Sequence, residues 1–388
     1  FAAATFVSKW ASDETDGRLE MVLTTPMARA RWVIAGGVSA VLAVAVFIGM
    51  QERRAAGVGR RMQRAMTSAE TGLADALVGW TPGLLGRRLL HPFDSIAIGG
   101  ARSGSAEPSW WGTIRRLNRG LFLVSVQAED QPGSAVASVA TLSRLGWVVR
   151  ARPVPLRIVA ALEAGGVALG NGARISGRDE PVAGWSDCPP PDSAVAGLAA
   201  GVIDTTDRSQ VDGAPPIAVA AMDSAFPAAQ VERFDQLASQ ATIELSPGSW
   251  STGPSSSGRD CNVSDSRNWG DPSGPGVPCG DYWPIVHVSG DLHLLSGVGH
   301  GILLIDGDLV IEGPFRFLGL VLVRGRVQIA STGSSVSLEG ALIASQAGAV
   351  GRPLSGISIT YSKCMVSNSL QSSGTLVPLR SRGWKQLF

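Results

Sequence analysis

PIVHVSGDLHLL (284–295), ILLIDGDLVI (302–311), LGLVLVRGRVQI (318–329) and VSLEGALIAS (336–345) are the stretches that decide how this chain folds. Each is an apolar run, a glycine and a second run. Short runs rich in Val, Ile and Leu, bounded by Gly and Asp, read as strands. The glycines fall at Gly290, Gly307, Gly325 and Gly340, in steps of 17, 18 and 15. A near-constant period of this size marks repeat architectures, in which each unit buries its apolar face on the next. Residues 284–348 are therefore read as a short β-solenoid-like region, with Gly at a corner where a side chain would collide. Gly-Asp-Leu recurs at 290–292 and 307–309, which supports a common register. An antiparallel sheet of hairpins is the alternative.

Upstream, the pattern changes. Trp32 to Met50 contains no charged residue and a single Ser. About 19 helical residues at 1.5 Å each come close to the thickness of a bilayer core. The run is apolar on every face, which reads as a transmembrane helix at 32–50 after an N-terminal segment at 1–31. Beyond it Val58, Met62, Ala65, Met66, Ala69, Leu73, Ala76, Leu77 and Trp80 recur at three- and four-residue steps, an amphipathic continuation over 51–82 that Thr81-Pro82-Gly83 closes. Arginines flank the span on both sides, Arg29 and Arg31 before it and Arg53, Arg54, Arg60, Arg61 and Arg64 after it. Loop charge alone would place the C-terminal side in the cytoplasm.

The remainder reads as β and loop. Residues 83–180 form a β-meander region, with a clear strand at 121–126 and a strand, turn and strand in GGVALGNGARISG (165–177). Residues 181–283 are a loop-rich insert with one modest helix at 227–240, and 349–388 a C-terminal tail. The expected class is α+β: a long membrane-anchored helix, then a mostly β body ending in the repeat region.

Composition excludes several function classes. The formal net charge is +1, and lysine occurs only at Lys9, Lys363 and Lys385, so no basic face for nucleic acid is visible. The cysteines are Cys188, Cys261, Cys279 and Cys364, with no C-x-x-C pair. Cys261 and Cys279 bracket a Ser-, Gly- and Pro-rich stretch that cannot bury a core, so a disulfide between them is favoured over free thiols. His287, His293 and His300 lie close together, and His287 and His293 would share a face of an uninterrupted strand. Asp306 and Asp308 flank Gly307, and Asp291 matches Asp308 one block earlier. His287, His293, Asp306 and Asp308 are thus the side chains a metal could use. No ligand spacing is complete, Gly290 interrupts the strand, and Asp in a turn serves backbone hydrogen bonds, so no metal, cofactor or catalytic residue is expected. Gly297, Gly299 and Gly301 lack the Lys-Ser/Thr and helix of a phosphate loop.

Gln51 to Leu77, with Ala69-Glu70-Thr71-Gly72-Leu73 inside it, follows a hydrophobic span and resembles the N-terminal region of PilX-like type IV pilus assembly proteins. The glycine-rich run Gly299 to Ile329 is similar to the β tail of many of them; the resemblance covers residues about 32–80 and 285–345. It implies a minor pilin or pilus-assembly component with no enzymatic activity and no small-molecule substrate. Its helix would lie in the inner membrane as a single span, with residues 1–31 in the cytoplasm against the loop charges and the body in the periplasm or on the cell surface, and its partners would be the membrane and other pilin subunits. The other readings are an envelope adhesin or scaffold and a carbohydrate-active β-helix enzyme. Residues 7–38, through Asp13-Glu14-Thr15-Asp16-Gly17-Arg18-Leu19-Glu20, resemble a coupling segment and span of ABC-type exporter permeases.

Overall fold

The computed structural model describes residues 29–99, 109–130, 141–191, 194–205, 209–219, 226–330, 335–379 and 384–386. Residues 1–28, which hold most of the permease-like segment 7–38 and of the expected cytoplasmic segment 1–31, lie outside these. The chain divides into two units, one holding the long helix as far as Glu70 and the other holding most of the β body.

A single helix runs from Arg29 to Asp75. It carries no Pro, and its Ala, Val, Leu, Arg and Gln residues keep the ladder intact despite several glycines. It ends earlier than its periodicity suggests. Residues 76–79 are a turn, with Gly79 at positive φ. Thr81-Pro82 opens a second helix, Pro82–Arg88: Thr81 Oγ1 accepts from Leu84 N–H at 3.2 Å, and Pro82 occupies the first turn, where its missing N–H costs nothing.

One sheet has the strand order Ser95–Gly99, Ser109–Asn118, Leu121–Asp130, Thr141–Arg152, Thr375–Pro378, and Trp384–Gln386 also pairs with Thr141–Arg152. The strand Leu121–Asp130 alternates as a half-buried strand must, with Phe122, Val124, Val126 and Ala128 fully inside. Residues from the expected C-terminal tail complete this sheet antiparallel to Thr141–Arg152.

The second sheet has 13 strands, and every described pairing in it is parallel. The blocks of the C-terminal third are therefore not hairpins. The chain passes through three ladders in turn and returns to the first one strand further on. Ile285 lies beside Ile302, Leu303 beside Val321 and Val321 beside Leu342. The next partner is not the next residues in sequence. Leu342 pairs with Leu162, Leu162 with Leu198, and Leu198 with Ile217. At the opposite end Ile243 pairs with Val286. The stack therefore reads 243–252, 285–301, 302–319, 320–340, 341–361, 160–176, 196–212, 217–219, two distant segments laid end to end. Ile243, Val286, Leu303, Val321, Leu342, Leu162 and Leu198 form one apolar column of the core. Burial of each such side chain contributes about 1.5–3 kcal/mol.

This topology corrects two expectations. Ala160–Leu169 and Arg174–Ser176 flank a turn at 171–172 but do not pair with each other; each is a successive side of one coil. They belong to the parallel sheet, not to the meander. The region 181–283 is also no simple loop, because Ala196–Thr205, Gln210–Asp212, Ile217–Val219, Ile243–Leu245 and Gly248–Thr252 all join the stack.

The glycine period resolves into two corners. At the first, Asp291 Oδ1 accepts from Asp308 N–H (2.8 Å), and Asp308 Oδ1 accepts from Arg326 N–H (2.7 Å). Each carboxylate fills the space a Cβ would need at Gly307 or Gly325 of the next coil. One coil later Ser345 takes this place, its hydroxyl donating to Gly325 O at 2.6 Å. Gly340 belongs to the other corner, in column with Gly301 and Gly319, so its near-period spacing from Gly325 is coincidental.

Candidate functional site

The most distinctive surface is the first half of the long helix. Ile34, Val38, Val41, Leu42, Val44, Val46, Phe47, Ile48 and Met50 are all exposed. The helix is long and apolar enough to cross a membrane. Ser39 satisfies its hydroxyl by donating to Ala35 O (2.8 Å), so the only polar side chain in the run does not oppose burial in lipid.

The structure separates the three histidines that the sequence brings together. His287 lies on the first ladder, His293 on the second and His300 on the third. His287 Nδ1 meets Glu244 Oε2 at 2.8 Å, and its Nε2 meets Asp306 Oδ2 at 3.0 Å. Asp306 in turn accepts from Arg324 Nη1 at 3.0 Å. The same guanidinium pairs with Asp235 and lies over the Phe234 ring, 4.1 Å from its centroid. This cluster fastens the helix Ala228–Ala238 to the stack, with Phe234 and Leu237 fully buried beneath it. Partly exposed pairs of this kind contribute about 0–1 kcal/mol each, and their value is in fixing position. Among the described residues His293 pairs with Glu312, at 3.3 Å, and Asp308 Oδ1 serves the corner. Among the described residues no group of three or more His, Cys, Asp or Glu side chains could hold a metal.

Two disulfides are present. Cys261–Cys279 closes the Ser- and Gly-rich loop, and Asn268 threads it, donating to Ser255 O (3.1 Å) and Asn262 O (2.9 Å). Cys188–Cys364 joins the loop after Trp185 to the helix Lys363–Leu370. Beside it His300, fully buried, stacks on Trp283 (centroids 4.3 Å apart), while Trp185 meets both rings edge-on. The Arg119 guanidinium sits 4.9 Å from the Trp283 centroid and pairs with Asp281 at 3.1 Å. Nothing in the local sequence links Arg119, Trp185, Trp283, His300 and the 188–364 bridge, which come from five separate segments.

Burial pushes the His300 pKa down to about 4. The folded chain therefore resists protonation of this ring, while the unfolded chain accepts a proton below about 6.5. Stability is expected to fall as pH drops from about 6.5 to about 4, by roughly 3 kcal/mol from this group, and to level off below. Urea unfolding of the wild type and His300→Gln at pH 7.5, 5.5 and 4 checks this: the variant should have the shallower acid slope, and equal slopes would refute it. A second titratable group escaped the sequence reading. Glu163, 6% exposed in an alanine-rich strand, has its carboxyl pushed up to about 7 by burial.

No protein-family description and no curated protein matches the sequence. Among solved structures the chain is similar to the crystal structure of the competence-associated pilin ComZ from Thermus thermophilus. That similarity has 10% identity and a TM-score of 0.25, over 84% of this chain and 97% of the other. A likeness at that score carries no argument about what this chain does.

Proposed function

We propose that this protein is a membrane-anchored, non-enzymatic assembly component of the cell envelope, of the minor-pilin kind. Its helix packs among the helices of other pilin subunits and its β body is displayed outside the inner membrane. One observation carries the reading: an unbroken helix from Arg29 to Asp75 in which residues 34–50 are uncharged and largely exposed, followed by a β-rich body. A free helix of that composition in water is unfavourable, and lipid or a helix bundle removes the cost. The two disulfides favour an oxidising compartment for the body. Asp291 and Asp308 serve the corners and His287, Asp306 and Arg324 fasten the helix Ala228–Ala238, which supports structural roles for these side chains.

A second reading, an anchored adhesin or scaffold, draws on the parallel stack, whose repeated backbone ladder makes a stiff spacer. Shearing surface fibres from cells that express a tagged chain separates the two. Tag in the fibre fraction supports the pilin-like role. Tag confined to membranes, with the body cleaved by external protease in spheroplasts, leaves the adhesin or scaffold.

A further inference from the structure

The helix changes character immediately after Met50. Arg53, Arg54, Arg60 and Arg61 follow within three turns, and Glu52 is the sole acidic residue between Met21 and Ala69. Because the helix is continuous here, the positions of these side chains around its axis are set. At about 100° per residue, Arg53, Arg54, Arg60 and Arg61 fall within an arc of about 120°. Arg64 has the same heading, and the five positions cover about 16 Å of the axis. Arg53, Arg54 and Arg60 are exposed and Arg61 is half-buried. Beside this arc the helix presents two exposed apolar side chains, Val58 and Met62. A basic face bordered by apolar residues, one turn beyond an uncharged span, matches the boundary between acyl chains and headgroups in both polarity and depth.

We propose that Arg53, Arg54, Arg60 and Arg61 bind anionic phospholipid headgroups in the leaflet where the apolar segment ends. The guanidinium fork takes two phosphate oxygens at once, which an ammonium cannot do with the same geometry, and lysine is absent from the helix. The contact fixes how deep the helix sits and how it is rotated about its own axis. The inference rests on reading residues 32–50 as a membrane span and holds for either orientation of the chain.

The test uses the full chain, purified in detergent and reconstituted into phosphatidylcholine vesicles with or without a minority of phosphatidylglycerol. Flotation with purely neutral vesicles after alkaline carbonate is expected from the span alone, and loss of the chain from the floated fraction would overturn the span and the lipid site together. Native mass spectrometry of the chain from mixed vesicles then reads which lipid stays bound. Phosphatidylglycerol should be enriched about tenfold over its share in the vesicle. In the variant with Arg53, Arg54, Arg60 and Arg61 all changed to Gln, which keeps helix propensity, the enrichment should vanish while flotation persists. Flotation with no enrichment in the wild type, or equal enrichment in the variant, would overturn the lipid site and leave the span standing.

Discussion

Gly319→Ala is expected to destabilise the body by about 3–5 kcal/mol, a large fraction of a typical folding free energy. Gly319 has φ +128, a conformation that L side chains rarely adopt. A Cβ there would press into the carbonyl oxygen of Gly301 on one coil and the hydroxyl of Ser369 above it. The column repeats on both sides: Gly301 faces Pro284 O, and Gly340 faces Gly319 O. The carbonyl neighbours are backbone, fixed by ladder bonds across several coils, so turning the Ser369 side chain would relieve only part of the clash. Backbone strain of about 1–3 kcal/mol adds to a comparable overpacking cost. Gly166→Ala is the control. It lies in the same sheet, with nothing within 4 Å of its Cβ position, and should change stability by less than about 1 kcal/mol. Denaturant midpoints of the two variants in detergent decide the matter, and equal midpoints would remove the corner from the account of the fold.

Loss of the Cys188–Cys364 bridge should cost nearly as much. The bridge spans 176 residues, from the loop after Trp185 to the helix that covers Leu318 with Met365. Loop-closure entropy alone gives about 5 kcal/mol for a loop of this length, and native bridges usually deliver about 2–5. The Cys188→Ser, Cys364→Ser double variant should therefore unfold at clearly lower denaturant. Opening Cys261–Cys279, which closes 18 residues, should cost less, about 3 kcal/mol at most. Peptide mapping without reductant should recover both linked pairs. Free alkylation of Cys188 and Cys364 in folded protein would contradict the pairing.

These two effects arise from features of different legibility. Periodicity in the C-terminal third pointed to repeating strands and to glycine at the turns, and the corner of Gly307 and Gly325 is where that reading holds. It assigned Gly340 to the same corner because spacing in sequence cannot distinguish two corners of one coil. The bridge between Cys261 and Cys279 was suggested by the composition of the loop it closes. Cys188 and Cys364 had no such signal, since what brings them together is the packing of Trp185, Trp283 and Met365. His287 and His293 would share a face only in an uninterrupted strand, and the break that Gly290 signalled sends them to separate ladders.

What the sequence determined by itself is local. The absence of charge from Trp32 to Met50 specifies a long apolar helix, because helix formation and its hydropathy depend on residues within a few turns. The alternation in Leu121–Asp130 specifies a half-buried strand for the same reason. Only the tertiary structure decided that the coil 341–361 is followed in space by 160–176. Parallel ladder bonds join backbone to backbone and are blind to side-chain identity, so any apolar strand of matching pleat could have continued the stack. Leu162 and Ala164 take the place beside Leu342 and Ala344 because the rest of the chain delivers them there. Alanine-rich strands such as Ala196–Thr205 carry too little hydrophobic contrast to announce that role in advance.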